Sequence, residues 1–123
     1  MKESELYVFN FEKLDVWSET LDLTKMVYKL TVDFPSNEIY GLVSQMRRAA
    51  VSVSSNIAEG SVRATMKDKI RFYEIAIASL MELLNQAIIS KELGFISLVQ
   101  YREIRVKIEQ ISRMLYSLRK SQM

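Results

Sequence analysis

Apolar side chains recur along the chain at intervals of three and four residues, the spacing that places them on one face of an α-helix. Four such segments are separated by short connections, and they predict helices at about residues 11–33, 37–59, 66–93 and 98–120. Short connections between long helices favour antiparallel neighbours. The predicted fold is therefore all-α: a single domain over residues 1–123, folded as an antiparallel up-down-up-down four-helix bundle.

Residues that start or stop helices stand at the ends of these segments. Side chains that can accept a hydrogen bond from a free helical N–H precede each apolar stripe, and glycine, which adopts the left-handed conformation of a helix stop, follows two of them. The predicted N-caps are Asn10, Ser36, Thr65 and Ser97. The predicted stops are Gly60 after the second helix and Gly94 after the third.

Each predicted core face is a stripe of side chains with helical spacing. In the first helix the stripe is Leu14, Trp17, Leu21, Thr24 and Tyr28. In the second it is Ile39, Leu42, Val43, Met46, Ala50, Val53 and Ile57. The fourth helix keeps a heptad alternation through Tyr101, Ile104, Ile108, Ile111, Leu115 and Leu118.

The third helix carries two apolar stripes, which together cover more of its circumference than one core face requires. The first is Phe72, Ile75, Ala76, Ser79, Leu83, Ala87 and Ser90. The second is Ile70, Tyr73, Ile77, Leu80, Leu84 and Ile88. Because a monomeric bundle would leave the second stripe exposed, we predict that it forms the interface of a homo-oligomer. Alternatively, the N-terminal segment with Leu6, Tyr7, Phe9 and Phe11 covers it within one chain.

Composition narrows the chemistry that the chain can perform. One proline, three glycines, 49% hydrophobic and 26% charged residues fit an ordinary globular helical protein. The absence of cysteine and histidine argues against disulfides, thiol nucleophiles, thiolate zinc sites and the Glu-x-x-His pairs of di-iron bundles. We therefore expect no metal, no cofactor and no catalysis. No secretory signal or apolar run of ~18 residues is visible, so we expect no membrane span and a cytoplasmic location.

The most distinctive segment is residues 45–60 of the second helix. Its small residues allow a neighbouring helix to come close, which is the expected role of Ser52, Ser54 and Ser55 because no base accompanies them. Its polar side chains recur on one face and suit contacts between helices. The predicted structural polar contacts involve Arg48, Ser52, Asn56, Glu59 and, from the third helix, Arg71.

Several motifs resemble those of the four-helix-bundle family encoded in intervening sequences of bacterial 23S ribosomal RNA genes. They are Phe11-x-x-Leu14-x-Val16-Trp17, Phe34-Pro35-x-x-Glu38-x-Tyr40-Gly41-Leu42, Gln45 with Arg47-Arg48-Ala49, Ser52, Ser55-Asn56-Ile57-Ala58-Glu59-Gly60, and Arg71-Phe72-x-x-Ile75-Ala76-x-x-Ser79-Leu80-x-Glu82-Leu83. The resemblance covers about residues 9–118. It implies an antiparallel four-helix bundle that assembles as a homopentamer. A relative, the accessory variability determinant of diversity-generating retroelements, is similar to a basic pentamer that binds nucleic acid and a reverse transcriptase.

Charge is unevenly distributed along the chain, although the net charge is only +2. Residues 1–36 carry four basic and seven acidic side chains, whereas residues 95–123 carry six basic and two acidic ones. Cations displayed together bind phosphates by releasing counterions. The candidate nucleic-acid-binding residues are Arg47, Arg48, Arg63, Lys67, Arg102, Arg105, Arg113 and Lys120.

The sequence also argues against a dedicated nucleic-acid binder. The pI of about 8.9 is modest, and no RNA-recognition motif, helix-turn-helix or phosphate-binding glycine loop is present. The leading interpretation is a non-catalytic, homo-oligomeric scaffold, pentameric as in the family, whose partner is RNA, DNA or a nucleic-acid enzyme. The alternative is a protein–protein adaptor that binds no nucleic acid.

Overall fold

The computed structural model describes residues 1–123, and it contains four α-helices and no strand. The helices are α1 (Asp15–Thr31), α2 (Leu42–Ser61), α3 (Met66–Glu92) and α4 (Leu98–Ser121). Three short 3-10 helices, Glu3–Glu5, Asn10–Lys13 and Ser36–Glu38, lie before α1 and between α1 and α2. The all-α four-helix prediction is confirmed.

Each helix packs against its neighbours in the chain, and α1 also packs against α4, whereas the backbones of the diagonal pairs lie farther apart. Along α2 and α3 the contacts run in opposite order: Met46 with Ser90, Ser52 with Ser79, and Gly60 with Tyr73. The same opposite order joins α3 to α4, through Glu74 with Arg119 and Lys91 with Tyr101. We call the end that holds both chain termini and the α2–α3 turn the terminal end, and the other the opposite end.

The second half of the chain follows the capping predictions closely. The Asp68 backbone N–H donates to Thr65 Oγ1 at 3.1 Å, and the Gln100 N–H donates to Ser97 Oγ at 3.1 Å, so both predicted N-caps are confirmed. Gly94 has a φ of +76°, the left-handed conformation of a helix stop. Consequently α3 and α4 begin and end within one residue of the predicted positions.

The first two helices begin later than predicted. Asn10 starts a 3-10 helix rather than capping α1, which begins at Asp15. Likewise Ser36 starts a 3-10 turn, and Gly41 adopts φ −110° and ψ −111° immediately before α2. The Glu38 carboxylate accepts a hydrogen bond from the Leu42 N–H at 3.1 Å, so Glu38 satisfies a donor at the start of α2.

Gly60 is not the predicted helix stop, because α2 continues to Ser61 and only Gly94 has a positive φ. Its backbone instead lies against α3. A Cβ atom at Gly60 would be 2.7 Å from Tyr73 Cε1, which is closer than real Cβ atoms approach, and 3.0 Å from Phe72 Cβ, which is an unusually tight contact. Glycine is therefore required here by the close approach of two helices.

The core face of α1 differs from the predicted stripe. Leu21 and Tyr28 are 40% and 43% exposed, and the buried residues of this helix are Val16, Thr20, Leu23, Val27 and Thr31. The two threonine hydroxyls donate to backbone carbonyls of their own helix, at Trp17 and Val27. With the hydroxyl satisfied, the methyl group packs like that of valine. By contrast, the predicted faces of α2 and α4 are buried, except for the exposed Ile39 and the half-buried Leu42 and Leu118.

Three residues of the second stripe of α3 lie in the core of the single chain, so their assignment to an oligomer interface is wrong. Tyr73, Ile77 and Leu80 are 3%, 8% and 0% exposed, and Leu84 and Ile88 pack on the core from half-buried positions. Ile70 is also half-buried. The cover comes from α2 and α4, which pack on either side of α3, and not from the N-terminal segment. Self-association itself stays a prediction, and it needs another surface.

Two isoleucines on α3 distinguish core from surface directly. We expect Ile77→Glu to abolish cooperative folding, because a carboxylate without a partner at an 8% exposed position costs about 3–5 kcal/mol. The matched control is Ile75→Glu, at a 42% exposed position on the same helix, which should keep its helical circular dichroism and a sharp urea transition. Equal stability of the two variants would contradict this account of α3.

Gly60→Ala should lower the free energy of unfolding by about 1–2 kcal/mol. The clash with Tyr73 outweighs the ~1 kcal/mol that alanine normally adds in a helix. Ser55→Ala, at an exposed position of the same helix, is the control and should be neutral or slightly stabilising. Urea unfolding measures both, and a stabilising Gly60→Ala would disprove the close contact.

Candidate nucleic-acid interface

Cations are densest at the turn between α2 and α3, on the terminal end of the bundle. Residues 62–72 contain four basic side chains and one acidic one, a net charge of +3. The turn is well defined, because Lys69 Nζ donates to the carbonyl oxygens of Ser61 at 2.9 Å and Gly60 at 3.5 Å. Lys69 thus occupies the free carbonyls at the end of α2, where a positive charge is favourable.

Two arginines of this region share one aromatic ring. The guanidinium carbons of Arg63 and Arg71 lie 4.3 Å and 5.2 Å from the centre of the Phe72 ring. Both side chains are exposed, and neither forms an ion pair. Stacking orients a guanidinium while its N–H groups remain free at the edges, the geometry that suits phosphate oxygens.

Lys67 completes this basic surface from the first turn of α3. Its side chain is exposed and has no carboxylate within ion-pair distance. Asp68, the one acidic residue of the turn, lies next to it, and its backbone N–H is bound by the Thr65 cap. We call Arg63, Lys67 and Arg71 the turn cations. Together they can hold an anionic backbone by charge and by directed N–H donors.

The remaining predicted phosphate-binding residues do not join this surface. Arg47 stacks 4.6 Å from the Tyr28 ring centre and donates to Thr31 Oγ1 at 3.0 Å, so it connects α2 to α1. Arg105 pairs with Glu109 at 3.4 Å and donates to the Tyr101 hydroxyl, and this hydrogen bond raises the pKa of Arg105. These two predicted cations are engaged within the protomer.

Four others are exposed but scattered. Arg48 lines a cleft of about 290 Å³ between α2 and α3 together with Glu82, and Arg102 lies near the opposite end. Arg113 and Lys120 lie on the C-terminal half of α4. None of the four forms an ion pair. The predicted set of eight is therefore not one patch, and only Arg63 and Lys67 belong to the turn cations.

The predicted polar contacts of α2 are correct in part. Ser52 Oγ shares a hydrogen bond of 2.9 Å with Ser79 Oγ of α3, and Asn56 Nδ2 donates to the Ser52 carbonyl at 2.8 Å. Arg48, Glu59 and Arg71 form no ion pair, so that part of the prediction is wrong. The sequence pattern places Ser79 in an apolar stripe and does not indicate that it is the partner of Ser52. The signal for this contact is that Ser79 and Ala76 are small residues on the same face of α3.

The ion pairs between helices involve residues that the sequence did not single out. Arg119 Nη1 lies 3.6 Å from Glu74 Oε1 and joins α4 to α3 near the terminal end. Lys107 pairs with Glu19 and lies 3.7 Å from Asp22 Oδ2, which joins α4 to α1. Burial raises the pKa of the Tyr73 phenol against α2. The ion pairs join neighbouring helices, and Tyr73 lies beneath Gly60. Glu74 is three residues from Arg71 on α3, so one of these carboxylates is a neighbour of a turn cation.

The structure contains no group of three or more carboxylate, histidine or cysteine side chains arranged to hold a metal ion. One helix, α3, is long and apolar enough to cross a membrane by length and composition. Core helices of globular proteins meet the same criterion, and α3 packs against α2 and α4 through residues that include Ala76, Leu80 and Leu83.

The protein is thus a small all-α four-helix bundle. Its candidate site is the basic surface at the α2–α3 turn. The profile of the 23S rRNA-intervening sequence protein family matches residues 12–117, and the chain belongs to that family. The predicted family resemblance is confirmed, whereas the relation to the accessory variability determinant stays a prediction.

A solved structure supports the fold independently. It is a protein of unknown function from the S23 ribosomal protein family of Bacteroides thetaiotaomicron, with a TM-score of 0.77 and 22% sequence identity. The match covers 85% of this chain and 98% of that one. No functionally curated protein matches the chain.

Proposed function

We propose that the chain is a non-catalytic scaffold that self-associates and whose partner is nucleic acid or a nucleic-acid enzyme, with nucleic acid bound through the turn cations. One observation carries the proposal: Arg63 and Arg71 both stack on the Phe72 ring, form no ion pair, and lie beside the exposed Lys67. The proposed setting is the bacterial cytoplasm, the location that the sequence predicts.

Self-association would make this modest basic surface effective. One copy has a net charge of +2, so the pentamer expected from the family resemblance would carry +10, five times that value. Five repeated basic turns would attract a polyanion at several points at once, which raises avidity without any new contact. Binding of this kind is independent of sequence and weakens steeply with salt.

A purely protein-binding adaptor is the second candidate, and the opposite end of the bundle favours it. Exposed apolar side chains surround the two turns there, which are joined by a contact of 5.4 Å between the rings of Phe34 and Phe95. They are Val32, Ile39, Tyr40, Leu93, Leu98 and Val99, all more than half exposed. An apolar end of this kind suits a protein partner.

The double variant Arg63→Ala/Lys67→Ala should weaken binding to duplex DNA and structured RNA about tenfold or more at ~50 mM salt. Two lost phosphate contacts should also flatten the slope of log K against log salt by roughly 2. Gel-shift titration at several salt concentrations measures both effects. The matched control, Lys25→Ala/Arg102→Ala, removes the same residue types from exposed positions on α1 and α4 and should bind nearly like the wild type.

No retardation of either nucleic acid by the wild type at low salt would reject nucleic-acid binding and leave the adaptor. Equal loss in the two variants would show that binding follows total charge rather than the turn cations.

The native mass tests self-association separately. We expect a particle of about 72 kDa, five times the 14.3 kDa of one chain, in light scattering at micromolar concentration. A folded particle of 14.3 kDa under the same conditions would contradict the scaffold proposal, whatever the result with nucleic acid.

A further inference from the structure

The first nine residues form an arm that leaves four consecutive apolar side chains in solvent. Leu6, Tyr7, Val8 and Phe9 are 54%, 76%, 47% and 56% exposed. The backbone is extended at Leu6 and at Phe9, and the rings of Tyr7 and Phe9 meet edge to face with centres 4.9 Å apart. A contiguous exposed apolar segment usually marks a contact with another molecule.

The base of the arm is fixed to the bundle. The Phe9 backbone N–H donates to the Glu12 carboxylate at 3.2 Å, and the Phe11 ring packs against Trp17 with centres 5.1 Å apart. The 3-10 helix between them lies on α1 and α2. The arm therefore starts from a defined position, and residues 1–10 are all exposed.

An open groove lies between the start of α1 and the last turns of α4. It has a volume of about 490 Å³, and its floor is apolar: Leu14, Val16, Met114 and Leu118. Arg113, Ser117 and Ser121 line it from α4, and Asp15 from α1. Lys120 follows Arg113 by one heptad and so lies on the same edge of α4.

Size and charge relate the arm to this groove. Four extended residues span about 13 Å, and the stretch of α4 from Arg113 to Ser121 rises about 12 Å. The arm carries Glu3 and Glu5 just before its apolar residues, with Lys2 ahead of them. The Glu5 carboxylate also accepts a hydrogen bond from the Lys2 backbone N–H at 3.3 Å. The groove edge carries Arg113 and Lys120, which are exposed and have no ion-pair partner in the protomer.

We propose that the arm of one copy docks in this groove of a second copy, with Glu3 and Glu5 facing Arg113 and Lys120. The inference rests on the proposed self-association and supplies the interface that the buried stripe of α3 cannot provide. It also assigns two of the predicted phosphate-binding cations to protein contacts, which leaves nucleic acid to the turn cations.

An arm and a groove are different surfaces, so two copies can exchange arms in a closed dimer, or the contact can be heterologous. In the heterologous case each copy gives its arm to one neighbour and receives an arm from the other. Contacts of this kind close into a ring when the rotation between copies allows it, and they permit odd subunit numbers that a self-complementary patch does not. The geometry thus agrees with the pentamer that the family resemblance implies.

Charge exchange between arm and groove tests the proposal. Glu3→Lys/Glu5→Lys and Arg113→Glu/Lys120→Glu each place like charges at the contact, so each should reduce the native mass at a concentration where the wild type is assembled. The quadruple variant restores opposite charges and should recover the wild-type mass. Because all four positions are exposed, helical circular dichroism should not change.

A control and a second variant separate the outcomes. Glu92→Lys/Glu103→Lys adds the same charge at exposed positions near the opposite end and should leave the mass unchanged. Tyr7→Ser/Phe9→Ser should dissociate the assembly without altering any charge.

Full assembly of both Glu3→Lys/Glu5→Lys and Tyr7→Ser/Phe9→Ser would overturn the docking proposal and leave self-association standing. No recovery of the native mass in the quadruple variant would have the same consequence. A monomeric wild type would overturn docking and self-association together. The quadruple variant is expected to assemble and keeps the net charge of +2, so its affinity for nucleic acid tests the separation of the two surfaces. Wild-type affinity of the assembled quadruple variant would support the separation, and loss of binding would overturn it.

Discussion

The close packing of α2 against α3 is the constraint on which the rest of the bundle depends. At one end Gly60 lies against the Tyr73 ring, with no room for a Cβ atom. Midway, the hydroxyls of Ser52 and Ser79 share a hydrogen bond of 2.9 Å, and near the other end Ser90 Oγ lies 3.4 Å from Met46 Sδ. Small residues along the whole contact let the two backbones approach, and the small polar ones satisfy each other there.

This approach explains why α3 has so much apolar surface and yet buries it. In this bundle α3 contacts two neighbouring helices, α2 and α4. Its close contact with α2 increases the fraction of its circumference that is buried. Tyr73, Ile77 and Leu80 are therefore core residues, although a single-face rule would place them outside. The turn cations and the arm, which we propose as contact surfaces, both lie at the terminal end of the bundle rather than along the middle of α3.

Helix number, the boundaries of α3 and α4, and the core of α4 could be predicted from sequence, because local signals settle them. The Ser97 capping box and the positive φ of Gly94 depend on a few neighbouring residues. The core face of α1 could not be predicted, because threonine counts as a polar residue in a sequence pattern. Thr20 and Thr31 can be buried only because their hydroxyls donate to carbonyl oxygens of their own helix. The role of Gly60 depends on Tyr73, which is 13 positions away in the chain. From the sequence, a glycine required by a close helix contact cannot be distinguished from a glycine that ends a helix.

The candidate site followed the same division. Arg63 and Lys67 of the α2–α3 turn were among the eight cations that the sequence indicated, whereas Arg71 was expected in a structural contact. The sequence could not show which cations are free, because Arg47 and Arg105 are engaged by aromatic and carboxylate groups that only the fold brings to them.

The shared ring of Phe72 has a further consequence. Arginine side chains lose roughly 2 kcal/mol of rotamer entropy when they are fixed, and stacking on Phe72 restricts two of them before any ligand arrives. One uncharged side chain, Phe72, thus orders two of the three turn cations, so a substitution at this position would change their arrangement without altering the net charge.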